Sequence, residues 1–321
     1  MIEQYEFTAL SWLHGKLHLD ADEYNLYYLI GNLRQGKYGL YYSRWEMDGR
    51  PIWQPRGELR IVQKAVAKLL LKPFPRHPLC FGFSGGSGGR AALPHAGYRS
   101  VLAFDLRHAF SQVTHQQVWT ALYGVSDPHL SFYAARFVAD LCIVGEVWQP
   151  LYHPYESGGG FLPQGASTSP RLFDLCLAPF DDQMALWAKR LDLAYSRYAD
   201  NLFFSSGREE FPGRARMILL SEAGKRFRIH KVRLVEHGRL CRMLGLNLER
   251  ESVSNTRGFK RAFRGALHHL EYALEHGLDY ERAWQVVNGY AGFAVWESLS
   301  GDLIGKYQKL KAQIHSLQWG W

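Results

Sequence analysis

The sequence predicts an α+β protein, in which a mixed body of strands and helices precedes an all-helical C-terminal unit. Short apolar runs that end in an acid, at 100–105 and 193–200, are typical of buried strands, and helical patterns separate them. From about residue 257 onward only helical periodicity remains. The 321 residues suffice for two or three compact units with a sizeable core.

The first hundred residues alternate between helical and strand-like patterns. Residues 8–35 place apolar residues at helical spacing, and 38–54 predict two strands around a turn at Asp48-Gly49. Gly57–Leu71 predicts a helix with one apolar face, formed by Leu59, Val62, Val66, Leu69 and Leu70. The glycine-rich segment 83–90 lacks the ending of a phosphate-binding loop, and no helix clearly follows it, so we interpret it as a flexible linker.

The middle of the chain contains the strands of the mixed body. Its predicted elements are, in order, a buried strand 100–105, a helix 129–145, a loop 150–165, a helix 168–189 and a strand 193–198. A second apolar run follows Asp200 and ends at a turn near Gly207, which predicts a hairpin with Asp200 at its tip.

Three helices are predicted at the C-terminal end: Phe259–His276, which Gly277 ends, then Tyr280–Trp296 and Leu303–Leu317. Basic residues recur at helical spacing along the first of them: Arg257, Arg261, Arg264 and His268. Such a stripe is either a solvated surface or a contact for a phosphate backbone, and the pattern alone leaves both open.

Composition narrows the class of protein. The net charge is +8 and the pI about 9.2, and the chain carries 10 Trp, 18 Tyr and 18 Phe, which is compatible with nucleic acid without proving it. The four cysteines form no CxxC pair, which favours buried free thiols over a zinc site or disulfides. The N-terminus shows no signal peptide, and no run is apolar enough for a membrane span, so we expect a cytoplasmic protein.

Two acids stand out by context, Asp105 at the end of the strand VLAFD and Asp200 at the predicted hairpin tip. Carboxylates at neighbouring strand ends can hold two Mg²⁺ ions that keep waters and take phosphate oxygens. Isolated acids at strand ends are more often solvated caps, so spacing alone leaves both readings open.

The segment LPQGASTSPRLFDLCL, 162–177, resembles the LPQGxxxSP segment of reverse transcriptases. Other segments resemble motifs of the same family in the expected order, over most of the chain from about Tyr38 to its end. These are RPIWQP with LRIVQ (fingers), FDLRHAF (first catalytic motif), YADN (the YxDD motif), RFRIHKVR (the basic segment after it), MLGLNL (the primer-supporting hairpin) and VNGYAGFAVW (thumb).

The resemblance implies a right-hand polymerase, with fingers, an antiparallel palm sheet backed by helices, and an α-helical thumb. It places the N-terminal region and fingers at 1–99, the palm at 100–250 and the thumb at 251–321. It implies RNA-directed DNA synthesis, with transfer from dNTPs to a primer 3′-OH on an RNA template and a DNA or RNA primer, and Mg²⁺, or alternatively Mn²⁺, as the metal.

The resemblance also assigns roles to individual residues. Asp105 and Asp200 would bind metal, helped by the backbone carbonyl of Leu106, and Asn201 stands where most relatives carry a second acid. Residues for the nucleotide would be the sugar-selecting ring Phe110, the segment Gln164 and Gly165, and the cations Arg50, Arg56 and Arg233. The thumb residues Arg257, Arg261 and Arg264 would track nucleic acid.

Within the family the sequence is most similar to bacterial retron-type enzymes. AALPH, 91–95, and MLG, 243–245, depart from the retron segments NAxxH and VTG. A structured non-coding RNA, an effector protein and a role in phage defence are implied by analogy only. Two other functions stay open: DNA synthesis without a template or from an unusual primer, and an RNA-binding scaffold that has lost its chemistry.

Overall fold

The computed structural model describes residues 2–20, 24–83, 88–124, 130–145, 160–236 and 242–319. The chain divides into two compact units, each built from three separate segments. The first unit comprises Met1–Ser84, Leu106–Met184 and Glu222–Lys231. The second comprises Gly85–Asp105, Ala185–Ser221 and Val232–Trp321. The domain boundaries inferred from the resemblance stay a prediction.

The described elements include the predicted helices and strands, and they add helices that the sequence analysis does not predict, among them Tyr38–Tyr41, His115–Gly124 and Gly213–Gly224. The α-helices are α1 Ile2–Leu17, α2 Leu26–Arg34, α3 Tyr38–Tyr41, α4 Gly57–Ala65, α5 Gly88–Ala92, α6 His115–Gly124, α7 Phe132–Cys142, α8 Ser169–Arg190, α9 Gly213–Gly224, α10 Arg257–Glu275, α11 Glu281–Phe293 and α12 Gly301–Trp319. The strands are β1 Tyr42–Met47, β2 Arg50–Pro55, β3 Ser100–Leu106, β4 Ala194–Tyr198, β5 Asn201–Ser206, β6 Ile229–Val235, β7 Arg242–Met243, β8 Leu246–Leu248 and β9 Val253–Asn255.

The N-terminal hairpin predicted over 38–54 is confirmed as the antiparallel pair β1–β2, but its first strand begins at Tyr42, and Tyr38–Tyr41 form the short helix α3 instead. Its turn residues Asp48 and Gly49 both have positive φ, 51° and 71°, as a tight two-residue hairpin turn requires. The helix predicted at Gly57–Leu71 is present, but its last turn, Val66–Leu71, is π-helical. This extra residue per turn rotates the buried face, so that Leu71 is buried where the sequence pattern predicts Leu69.

A four-stranded sheet in the order β4-β5-β3-β6 carries the two acids singled out by the sequence. Strand β5 pairs antiparallel with both β4 and β3. Because side chains alternate between the two faces of a strand, Leu102, Phe104 and Phe204 share one face and are buried. Asp105 lies on the other face together with Val101, so its carboxylate points away from the layer formed by Leu102 and Phe104.

The C-terminal helices α10, α11 and α12 pack around one apolar core within the second unit, as the sequence predicts. Phe263, Leu267 and Leu270 of α10 lie in this core together with Val287 of α11 and Leu310 of α12. Thr256 caps α10 by accepting a hydrogen bond from the amide of Phe259. The core positions follow helical spacing, which is why sequence periodicity alone located these helices.

Several other expectations have definite outcomes. Cys142 and Cys176 are buried free thiols, as predicted, and burial raises the pKa of each to about 12. Cys80 is also a free thiol, but it is only half-buried, so the prediction of burial is wrong there. The interpretation of 83–90 as a linker is wrong at its end, because helix α5 begins at Gly88. Cys241 and most of the predicted loop 150–165 lie outside the described residues. Within the described ranges, no helix is both long and apolar enough to cross a membrane.

Candidate active site

The register of the central sheet brings the two candidate metal-binding acids to neighbouring strand ends. Asp105, next to last in β3, lies directly opposite Asn201, the first residue of β5. Asp200 immediately precedes Asn201 in the turn between β4 and β5. The two carboxylates therefore lie at the same end of the neighbouring strands β3 and β5, as the sequence predicts, although they are 95 positions apart along the chain.

The turn that carries Asp200 has a strained backbone. Ala199 has φ of 56°, a left-handed conformation that is costly for a residue with a Cβ atom. Arg197 lies two residues before it with its side chain completely buried, and its Nη1 donates to the Ala199 carbonyl oxygen at 2.8 Å. A buried guanidinium thus holds the turn in this shape, and strain of this kind concentrates at functional sites.

Asn201 contacts Asp200 directly. Its amide Nδ2 donates to Oδ1 of Asp200 at 3.0 Å, and both residues are half-buried. A hydrogen bond donated to a carboxylate stabilises its charged form and fixes its orientation. The residue in the place of a second acid is therefore a neutral donor that orients the first acid.

A second group of predicted site residues meets within the first unit. The amide of Trp53 in β2 donates to the carbonyl oxygen of Gln164 at 2.7 Å, and Ile52 forms a parallel bridge with Gln164. Gly165 has φ of 108°, and a Cβ atom there would lie 2.9 Å from Cγ2 of Ile52. Only glycine fits this close approach, so the LPQG segment is attached to the hairpin that begins with Arg50.

Phe110 lies in a short 3-10 turn, Ala109–Gln112, that follows β3. Its ring stacks on Phe173 of α8 with centroids 4.7 Å apart, and Phe83 contacts it edge-on at 5.6 Å. These neighbours leave Phe110 only 8% exposed, whereas Phe83 is 47% exposed. The sequence did not indicate Phe83, which covers the ring proposed to select the sugar.

The predicted phosphate-binding arginines differ in availability. Arg50 and Arg233 are exposed, Arg50 at the start of β2 and Arg233 in the sheet-edge strand β6. Arg56 is also exposed, but its guanidinium donates to the carbonyl oxygens of Gly39 and Leu40. These bonds tie the Arg56 guanidinium to the backbone of the fold, and the phosphate contacts of all three arginines stay predictions.

The basic stripe of α10, formed by Arg257, Arg261 and Arg264, is exposed along its whole length. Phe263 and Leu267 of the same helix are buried in the core, on a different face of α10. The helical pattern predicted from the sequence is thus confirmed as a solvent-facing basic surface, while its contact with nucleic acid stays a prediction.

Sequence reasoning missed the residues that support Asp200. Arg197 is the single charged residue of strand β4, which the sequence analysis treats as an apolar run. A lone Arg within an otherwise uncharged strand is the signal that could have found it. Ser196 and Ser205 were missed as well, although a serine in each strand of an apolar hairpin indicates a buried polar partner.

Comparison with known proteins decides the family. The pattern of the reverse transcriptase (RNA-dependent DNA polymerase) family matches residues 46–248, which is more than half of the chain. The chain belongs to the reverse transcriptase family. The matched range includes both acid-bearing strands and the LPQG segment, so the sequence-based assignment and the right-hand α+β fold class are confirmed.

Relatives of similar sequence include bacterial retron enzymes. The retron Mx65 reverse transcriptase of Myxococcus xanthus is 29% identical over 238 residues, which are 72% of this chain and 54% of that protein. The retron Ec86 reverse transcriptase of Escherichia coli is 25% identical over 239 residues, 73% of this chain and 69% of that protein. The similarity to the retron type is thereby confirmed.

The match to Mx65 reverse transcriptase covers about half of that protein's length, and the match to the retron Mx162 reverse transcriptase of Myxococcus xanthus covers 47% of it. Among solved structures, telomerase from Candida albicans in complex with a fragment of telomeric RNA aligns over 85% of this chain and 56% of its own. That alignment has 12% identity and a TM-score of 0.42, too low to support an inference.

Proposed function

We propose that this chain is an RNA-directed DNA polymerase of the retron type, which adds deoxynucleotides to a primer 3′-OH on an RNA template. The observation that supports this most is the register that pairs Asp105 with Asn201, next to Asp200, in a reverse transcriptase family member. The proposal requires the carboxylates of Asp105 and Asp200 to lie at the same end of neighbouring strands, because separated acids would provide no shared site for metal and phosphate.

The chemistry of the donor atoms fits Mg²⁺. Asp105 and Asp200 offer hard carboxylate oxygens, and Mg²⁺ is commonly bound by only one or two carboxylates together with waters and substrate phosphates. Among the described residues no cluster of three or more His, Cys, Asp or Glu could enclose a metal, which argues against a dedicated all-protein cage. When bound, Mg²⁺ or Mn²⁺ would neutralise charge on the reacting phosphoryl group.

Other residues would position the catalytic turn, neutralise the triphosphate and select the sugar. Asn201 and Arg197 keep the Asp200 turn in one orientation, the first through the carboxylate and the second through the Ala199 carbonyl. Arg50 would neutralise the triphosphate as a cation suited to paired phosphate contacts. Phe110 would lie against the sugar and exclude a 2′-OH. Positioning and charge neutralisation carry most of the catalysis in phosphoryl transfer.

Primer extension on a defined RNA template tests the proposal. We expect Mg²⁺-dependent incorporation of dNTPs by the wild-type chain and loss of at least about a thousandfold in Asp105→Asn and Asp200→Asn. RNA binding measured on the same preparations should stay within about threefold of wild type, because neither change removes a cation. Normal extension by either variant would contradict the proposal.

Product sequencing with and without RNA separates the other two functions. Product that does not copy the RNA would indicate template-independent or unusually primed synthesis. RNA binding without any metal-dependent incorporation would indicate a scaffold. A structured non-coding RNA and an effector protein would be identified by recovering the chain from cells with its bound RNA and proteins; both remain predictions by analogy with the relatives.

A further inference from the structure

His95 is a completely buried histidine within the second unit that contacts both strands of the hairpin carrying Asp200. It ends the 3-10 turn Leu93–His95 that follows α5. Its Nδ1 lies 2.6 Å from Oγ of Ser205 in β5, and its Nε2 lies 2.8 Å from Oγ of Ser196 in β4. One imidazole thus bridges the two strands that meet at the catalytic turn.

The hydrogen bonds around His95 have one consistent direction. The hydroxyl of Ser196 donates to the carbonyl oxygen of Ala91 at 2.9 Å, so its oxygen is left to accept a hydrogen bond from Nε2–H of His95. In a neutral imidazole Nδ1 is then the acceptor, and it accepts a hydrogen bond from the hydroxyl of Ser205. Burial lowers the pKa of His95 to about 3, which agrees with a neutral ring.

The strand register shows which part of the hairpin His95 holds. Ser196 lies opposite Phe203, and Phe203 lies opposite Ala103 of β3. The same face continues two positions further to Asn201 and its partner Asp105. The His95 ring also meets the ring of Phe203 edge-on, with centroids 6.4 Å apart. His95 therefore packs on the face of the sheet to which Asp105 belongs, a few residues from the turn.

We propose that His95 is a positioning residue for the polymerase reaction: by bonding Ser196 and Ser205, it fixes the β4–β5 hairpin and so sets where Asp200 stands relative to Asp105. The inference rests on the proposed function for its catalytic consequence, but its structural part stands by itself. Displacement of a reacting group by about 1 Å costs on the order of a hundredfold in rate. A residue that fixes the hairpin carrying Asp200 can therefore affect the rate without touching the substrate.

The buried position of His95 gives the segment AALPH, 91–95, a role in supporting the hairpin. A side chain with no exposed surface touches neither nucleotide nor RNA, so His95 acts only through the hairpin. The carbonyl oxygen of Ala91, and not its side chain, accepts the bond from Ser196. Alanine in place of the asparagine of the retron segment is therefore compatible with this network.

Conservative variants test the proposal: Ser196→Ala, Ser205→Ala and His95→Gln, compared with His115→Gln as a matched control. His115 has one side-chain contact, 2.9 Å to Asp140, in the first unit, away from the hairpin. We expect the three hairpin variants, assayed below their unfolding transition, to lower kcat about tenfold and to raise half-saturating Mg²⁺ severalfold. KM for dNTP should change less than about twofold, and His115→Gln should match wild type in each value.

Two further measurements do not depend on activity. Amide hydrogen exchange should be faster at 198–202 in the hairpin variants than in wild type and unchanged in α7. Nitrogen-15 NMR spectra of the wild-type protein should show that the His95 imidazole is neutral and carries its proton on Nε2. Unchanged kcat and Mg²⁺ dependence in folded variants would overturn the positioning role. If the wild type incorporates no dNTP, the proposed function fails, and unchanged exchange at 198–202 would then overturn the structural part separately.

Discussion

Replacing Asn201 by Asp would restore the second acid that most reverse transcriptases carry beside Asp200. In this chain the amide Nδ2 of Asn201 donates to Oδ1 of Asp200 at 3.0 Å. The change removes a hydrogen bond to a charged group, a contribution of about 1.5–3 kcal/mol. It also brings two carboxylates within about 4 Å, where like charges repel by about 4 kcal/mol at an effective dielectric constant of 20.

The two costs are not fully realised, because both side chains are only half-buried and water screens the repulsion between them. We therefore expect the free energy of unfolding without metal to fall by about 1–3 kcal/mol. A divalent cation relieves the repulsion and gains a further anionic ligand. Mg²⁺ should bind at least about tenfold more tightly to Asn201→Asp than to wild type, a gain of about 1.4 kcal/mol.

The assay is a Mg²⁺ titration of two quantities in both proteins, the initial rate of primer extension and the midpoint of thermal unfolding. Asn25→Asp provides the control, because it adds the same charge at the exposed N-cap of α2, where Asp and Asn cap equally well. The variant at 201 should be less stable than wild type without Mg²⁺ and should gain more from it. Identical Mg²⁺ curves for wild type and Asn201→Asp would refute the reasoning.

Four further predictions follow from individual contacts. Gly165→Ala should lower the free energy of unfolding by about 2 kcal/mol or more, because Gly165 has φ of 108° and a Cβ atom there would lie 2.9 Å from Ile52. Denaturant unfolding measures this change. The control Gly207→Ala, which has open space around its Cβ position, should change the free energy of unfolding by less than about 1 kcal/mol. Phe110→Ala should lower the preference for dNTP over rNTP in kcat/KM by about tenfold or more, and unchanged discrimination would remove Phe110 from that role. Burial lowers the pKa of His95 to about 3, so between pH 6.5 and about 3 this side chain binds a proton in the unfolded protein but not in the folded one. The contribution of His95 to stability is therefore complete above pH 6.5 and is lost as pH falls, by about 1.4 kcal/mol per pH unit. His95→Gln should flatten this dependence of the free energy of unfolding on pH, as measured by denaturant titrations. Changing the basic stripe of α10 to Gln should reduce the slope of log affinity for an RNA–DNA duplex against log salt by about 2–3, whereas the same positions changed to Lys should keep it.

The sequence by itself determined the family, the order of the elements and the identity of the two acids. The motifs at 162–177 and around Asp200 are local, and their residue types follow from the chemistry of metal and phosphate binding. Hairpins and helices were predictable for the same reason, since their periodicity and turn residues act within a few positions. Departures arose where geometry overrode periodicity, as at Leu69, which the π-helical turn rotates out of the buried face.

Only the tertiary structure decided which partners these residues have. Arg56 reads as a phosphate ligand in sequence, yet its guanidinium bonds the carbonyl oxygens of Gly39 and Leu40. His95 reads as part of a family segment, yet it bridges serines more than a hundred positions away. Hydrogen-bond partners across such separations depend on the register of paired strands, and one residue of register moves a side chain to the opposite face. The sequence therefore indicated the type of reaction and the acids that take part in it. Only the fold showed which residues, such as His95 and Arg197, hold the turn that carries Asp200.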